Sequence, residues 1–309
     1  MFERIIVTLD GSQSSEAALT AATETVRALG SSLVLLHVLE KRPPKAVHGE
    51  RHLATKEEAE AYLAPLAERL SAEGLSASYH VHDEASKGKQ DPKGSSAIAR
   101  AVADHEVEFG GGLAVMAAHG RRGAASALSS SLPLKVASEG GAAVLLVPQG
   151  PFSPRRIVLP LDGRLEHEAA LPAASALAKA FGIGIRLVAA VPHSASEGGG
   201  NGASIARLAP ALSGASLEYA ASAEGEYLSG VASRLASQGI ASEKVVLRGR
   251  PAKAIVSVCA EGDLLALSTH RRLGLDASLD GCVAFEAARR WHGAMLVVPV
   301  PRDTASAKR

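Results

Sequence analysis

Short continuous apolar runs alternate with stretches of helical period along the whole chain. Residues 5–9 form the first run, read as a buried strand. Residues 14–29 carry Ala and Leu at helical spacing, and Gly30 suits a helix C-cap. A second apolar strand follows at 33–39, then a charged, irregular stretch at 41–55. Residues 57–71 are helical with Gly74 ending them, and 76–82 alternate like a strand. Lys, Gly and Ser dominate 85–96, which reads as a mobile loop. A helix at 97–105, an apolar strand at 113–118, a short helix at 131–139 and a last strand at 143–147 complete the series. Strands alternating with helices predict a parallel, doubly wound sheet covered on both faces.

The series then starts again. RIIVTLDGSQSSEAALTAA near the start matches RIVLPLDGRLEHEAALPAA, so that Asp10 meets Asp162, Gly11 meets Gly163, and Glu16 to Leu19 meet Glu168 to Leu171. AVLLVP, ending at Pro148, matches AMLVVP, ending at Pro299. The spacing between matched residues is held across the chain, which marks a duplicated domain rather than a solenoid of short repeats. QGPFSPRR (149–156), with one Gly and two Pro, reads as the linker. The expected organisation is a first domain over 1–150, a second over 151–302 and a tail over 303–309. The apolar strands at 143–147 and 295–298 need covering, because an open apolar edge invites aggregation. They are expected to pair with each other across a pseudo-two-fold axis, giving an intrachain pseudo-dimer. Residues 41–55, and the Gly-rich 197–202 in the second copy, lack the apolar residues that offset ordering entropy, and both are expected to be mobile without ligand.

Composition narrows the function classes. Apolar residues are 47% of the 309, and 33 basic against 32 acidic residues leave a net charge of +1. Such a balance gives no electrostatic case for nucleic acid or an anionic membrane, and 3% aromatics give no base-stacking surface. No apolar run is long enough to span a bilayer. Cys259 and Cys282 are the only cysteines, so a disulfide framework is excluded and a cytoplasmic location is expected.

Ligands of such sheets bind beyond the carboxyl ends of the strands. Asp10 and Asp162 sit in the turn after the first strand of each copy. Either could accept hydrogen bonds from a ribose or base, or merely cap its own turn. The segment after the fourth strand reads LAVMAAHGRRGAASALSSSLPLKVA in copy one and LLALSTHRRLGLDASLDGCVAFEAA in copy two. A strand, a small-residue loop and a helix start make the general plan of a phosphate cradle, in which free backbone N–H groups face the anion. Arg121-Arg122 and Arg271-Arg272 read as solvated surface, and His119 and His270 as structural hydrogen-bonding residues. Cys259 falls on an apolar helical face, and Cys282 at a helix start where a thiol pKa could fall. His80 and His82 share one side of a strand as metal ligands would, yet two such residues are too few to define a site, and no metal site is assigned.

With its VTLDGS opening, MAAHGRRG block and terminal LLVP strand in order, the chain resembles a tandem universal stress protein with two UspA-type domains, over nearly its full length. The resemblance implies an α/β fold of two doubly wound parallel-sheet domains, Rossmann-like and of the adenine nucleotide alpha hydrolase-like type. It implies a nucleotide-responsive stress-signalling module. ATP, with or without Mg, is the implied ligand and a slow ATPase at most the implied activity. No general base or Walker-type lysine accompanies the loops. The alternative within the family is a scaffold that acts through protein contacts without nucleotide. A protein partner and a homodimer of whole chains are compatible with either.

The family's ATP-binding members carry G-x2-G-x9-G-[S/T]. In copy one these positions fall on Ala117, Gly120 and Ser130, followed by Ser131, and the implied site also includes Asp10 and Val38. In copy two they fall on Ser268, Arg271 and Gly281, followed by Cys282, beside Asp162. Every substitute in copy one is small, whereas Arg271 brings a long side chain to a glycine position, where it could neutralise a phosphate but is expected rather to fill the cavity. Copy one is therefore expected to bind and copy two to be degenerate.

Overall fold

The computed structural model describes residues 1–40, 46–47, 50–83, 95–108, 112–118, 132–137, 142–191, 210–269 and 283–300. Copy one contributes β1 (Arg4–Thr8), α1 (Gln13–Leu29), β2 (Ser32–Leu39), α2 (Lys56–Ala72), β3 (Ala77–Asp83), α3 (Ser95–Glu108), β4 (Leu113–Ala117), α4 (Leu132–Lys135) and β5 (Val144–Val147). Copy two contributes β6 (Arg156–Pro160), α5 (Ala170–Phe181), β7 (Gly184–Val191), α6 (Pro210–Ala236), β8 (Ser242–Arg248), α7 (Pro251–Ser257), β9 (Asp263–Thr269), α8 (Val283–Ala288) and β10 (Met295–Pro299).

The strands join in one ten-stranded sheet of order β8-β7-β6-β9-β10-β5-β4-β1-β2-β3. Within each copy the pairs are parallel, as continuous apolar strands covered on both faces require. The two copies meet where β5 and β10 pair antiparallel, with Leu145 opposite Leu296. The strand order reads the same from either end, so the copies are related by a pseudo-two-fold axis through that pair. Leu145 and Leu296 are fully buried there. The two apolar layers, one on each face of the sheet, both run across the junction: Ile5, Leu145, Leu296 and Ile157 share one layer, and Ile6, Val144, Val297 and Val158 the other. Helix α1 also packs against α5 of the opposite copy.

Helix starts show where the copies diverge. Ser12 caps α1, its hydroxyl accepting from the Ser15 N–H at 3.2 Å. Copy two has Arg164 at the matching place, with no side-chain cap, and the chain winds through a 3-10 turn at Leu165–Ala169 before α5 begins. A side-chain acceptor that satisfies the first N–H groups is what lets an α-helix open directly. The stretch 41–55, expected to be mobile, carries local contacts among its described residues. Ala46–Val47 pairs with Glu50–Arg51. His52 and Leu53 are buried, and the Leu53 N–H reaches the Asp10 carbonyl at 3.2 Å. Two inward-facing residues anchor a stretch whose average composition is polar. Residues 197–202 lie outside the described residues.

Candidate functional site

In copy one the strand order β3-β2-β1-β4-β5 reverses its direction of growth between β1 and β4. The carboxyl ends of these two neighbours form the crevice where such sheets take ligands. Asp10 leaves β1 at that crevice, Ala117 ends β4, and Val38 lies near the end of β2 next to β1. Three of the six residues assigned to copy one from sequence are thus brought to one end of the sheet. Gly120, Ser130 and Ser131 lie outside the described residues, as do His119 and the Arg121-Arg122 pair.

Asp10 does local work in its turn: its Oδ1 accepts the Ser12 N–H at 2.9 Å. Gly11, at φ +85°, lets the turn pass beneath Leu53. Behind Asp10, the His37 ring is buried and its Nδ1 donates to the Leu9 carbonyl at 2.7 Å. That bond fixes the tautomer with the proton on Nδ1. The His52 ring stands 5.8 Å away. Burial first, then the neighbouring His52, holds His37 below the ordinary histidine value. His52 is likewise lowered by burial, against the pull of Asp10. Glu40, 3.8 Å from His52 Nε2, is raised by its own burial.

The copy-two crevice between β6 and β9 is chemically different. Asp162 accepts from His167 Nδ1 at 2.7 Å and from the Arg164 N–H at 3.3 Å. Ser268 ends up as a clamp. Its Oγ donates to the His167 carbonyl at 2.7 Å and accepts the Ala170 N–H at 3.1 Å, tying β9 to the start of α5. Arg271, Gly281 and Cys282 lie outside the described residues, as do His270 and Arg272.

A second carboxylate enters this crevice from α6. Glu224 comes within van der Waals reach of where a side chain on Gly163 would stand, 3.7 Å from the position of its Cβ. Burial, then the charge of Asp162, raises the Glu224 carboxyl above the usual carboxylate range. Its counterpart in copy one follows from a duplicated contact. Tyr62 donates to Glu16 at 3.3 Å, and Tyr227 donates to Glu168 at 2.7 Å. Three residues before each tyrosine stand Ala59, fully buried, and Glu224. Copy one thus presents a methyl where copy two presents a carboxylate. Sequence reading missed Glu224 because no motif carries it; aligning the two tyrosines would have exposed it.

Two further expectations concern side chains away from the crevice. Cys259 lies just past the end of α7 rather than on a helical face, half-buried against the apolar layer, and burial pushes its thiol up to about 12. His80 and His82, too few by themselves to define a site, are joined by His105 of α3, whose Nε2 lies 2.7 Å from His82 Nδ1. Burial first, then the neighbouring rings, lowers His80 and His105.

Known proteins agree with this architecture. The family model described as the universal stress protein family matches residues 1–148 and again 154–299. No curated protein matches the sequence significantly. A structure assigned as a universal stress protein of Pseudomonas aeruginosa UCBPP-PA14 is 18% identical, covers 96% of this chain and 93% of its own, and superposes with a TM-score of 0.64. A universal stress protein of Archaeoglobus fulgidus DSM 4304 is 14% identical over 97% of both chains, with a TM-score of 0.61. The cytoplasmic domain of a prokaryotic cation chloride cotransporter is 15% identical over 99% of both chains, with a TM-score of 0.50. At these identities the likeness is one of fold. No helix among the described residues is long and apolar enough to cross a membrane. The two matches of the family model, one to each half of a symmetric sheet, account for nearly the whole chain, which belongs to the universal stress protein family as a tandem of two such domains.

Proposed function

We propose that the protein is a nucleotide-responsive binding module of the stress response, in which copy one takes an adenine nucleotide and copy two does not. The observation that carries this reading is what each crevice already holds at its nucleoside end. In copy two Glu224 from α6 stands beside Asp162, which is already engaged by His167 and by Arg164. A second, partly buried carboxylate there fills space and must be paired or displaced by an entering nucleoside. In copy one the matching α2 position is Ala59, and the groups behind Asp10 are His37, His52 and Glu40. Ser268 adds to the contrast, since its hydroxyl already bridges two elements where copy one has the methyl of Ala117.

On this reading Asp10 and Val38 face the nucleoside end, and Ala117, Gly120, Ser130 and Ser131 surround the phosphates. Backbone N–H groups at a helix start supply the anion contacts, and Mg accompanies the triphosphate. Binding and the change of shape it selects are the output. The test is a photoreactive adenine nucleotide followed by peptide mapping. Labelling confined to peptides of residues 1–148 and displaced by unlabelled ATP is the expected result. Label in residues 154–299, or none that ATP displaces, overturns it; the second outcome leaves a scaffold working through protein contacts.

A further inference from the structure

The edge strand of copy one departs from its duplicate at two inward positions. The registers carry the correspondence. In copy one Thr8 pairs with Leu36, Leu36 with His80, and Val38 with His82. In copy two Pro160 pairs with Val188, Val188 with Val245, and Ala190 with Leu247. His80 therefore stands where copy two has Val245, and His82 where it has Leu247. Leu247 packs in the apolar layer with Val256 and Cys259, which is what this part of the fold needs for cohesion. Copy one gives up that apolar contact for imidazoles.

The helix covering this face supplies a third. Ala99, Val102 and His105 recur every three residues on α3, and all are buried, so His105 occupies the next inward place of an apolar stripe. Its ring centroid lies 4.4 Å from that of His80 and 4.7 Å from that of His82. One ring nitrogen from each of the three residues lies within 4.8 Å of the others. Glu108, nearly one turn further along α3, holds His105 Nδ1 at 2.9 Å, which turns Nε2 toward the strand.

We propose that His80, His82 and His105 form a site for a divalent transition-metal cation of the zinc class, with Glu108 as the outer carboxylate that orients His105. Metal-bound imidazoles commonly donate their second nitrogen to such a carboxylate, which fixes the ring and strengthens the ligand. Zinc–nitrogen bonds of about 2.0–2.1 Å in a tetrahedron place ligand nitrogens about 3.3 Å apart. His105 Nε2 and His82 Nδ1 need only open from 2.7 Å to reach that spacing. An all-imidazole set suits zinc, copper, nickel or cobalt and does not suit magnesium or calcium, which take oxygen ligands. Three protein ligands leave a fourth position for water or another donor. A bound ion would clip β3 to α3, one strand away from Val38 of the nucleotide crevice.

The test uses the full chain, freed of any tag and stripped by chelator, dialysed against zinc and assayed for bound metal. Cobalt serves as a second probe because its tetrahedral complexes absorb in the visible. One metal ion per chain and a tetrahedral cobalt band are expected. The double variant His80→Val/His82→Leu installs the residues of copy two, so its fold has a precedent within the same chain. It should lose the metal and the zinc-dependent rise in Tm that the native protein shows. Glu108→Gln should keep the site but weaken it by roughly 10–100-fold. A native protein that binds no zinc, or a double variant that binds as much and as tightly as the native one, overturns the proposal.

Discussion

Gly11 sits at φ +85° in the turn after β1, and a methyl there would come within 2.7 Å of Leu53 Cγ. Gly11→Ala should therefore destabilise the chain by about 1–3 kcal/mol from the backbone alone, read as a lower urea midpoint. The repacking of Leu53 adds to that. A second consequence at this scale is a pH dependence centred on His37. Its folded pKa is held below the ordinary value of 6.5 by burial, so the unfolded chain takes up a proton that the folded chain refuses. The stability tied to neutral His37 is complete above 6.5 and is lost as pH falls toward the folded pKa. His52 adds in the same direction. Melting temperatures of the native protein should fall between pH 7 and pH 5. His37→Asn, whose amide can still reach the Leu9 carbonyl, should flatten that fall; an unchanged pH profile would remove His37 from the account.

The elements themselves were largely legible in the sequence. Continuous apolar runs such as 33–39 and 143–147 can only be strands buried on both faces, and Gly30 ends α1 in the left-handed conformation its position suggested. The 3-10 opening of copy two was not legible, because the shared Glu-Ala-Ala-Leu pattern hides the loss of a cap at Arg164. Capping gives a matched pair of outcomes. Ser12→Ala should cost about 1 kcal/mol, while Arg164→Ala should change little, as measured by denaturant titration. Of the site, Asp10 could be placed from a strand end, whereas Val38 and Ala117 followed from the family resemblance. Glu224 and His105 could not be placed, since each reaches its partners only by packing of separate elements. No local pattern reports that α6 brings a carboxylate to Gly163 or that α3 lays an imidazole on β3.

At the scale of the molecule, the β5–β10 pair makes the two copies one sheet with two continuous apolar layers. Each half expressed alone would present an apolar edge, and should self-associate or aggregate in sedimentation experiments. Halves that stay monomeric and soluble would show that the junction is dispensable. The symmetry of the backbone sets off the asymmetry of the chemistry. The duplicated Tyr–Glu contacts align the crevices, yet one carries Ala59 and the other Glu224, one Ala117 and the other the Ser268 clamp. Evidence that the division matters to the whole chain would come from Glu224→Ala with Ser268→Ala: this pair should leave copy-one binding unchanged.

Titration calorimetry of the full chain with ATP and Mg tests the division of labour most directly. The expected result is one nucleotide per chain with a micromolar Kd, about −8 kcal/mol. Gly120→Arg should abolish the heat, and Gly281→Arg should leave it intact. A stoichiometry of two, no binding by the native chain, or loss of binding in the Gly281 variant alone would contradict the assignment of nucleotide to copy one.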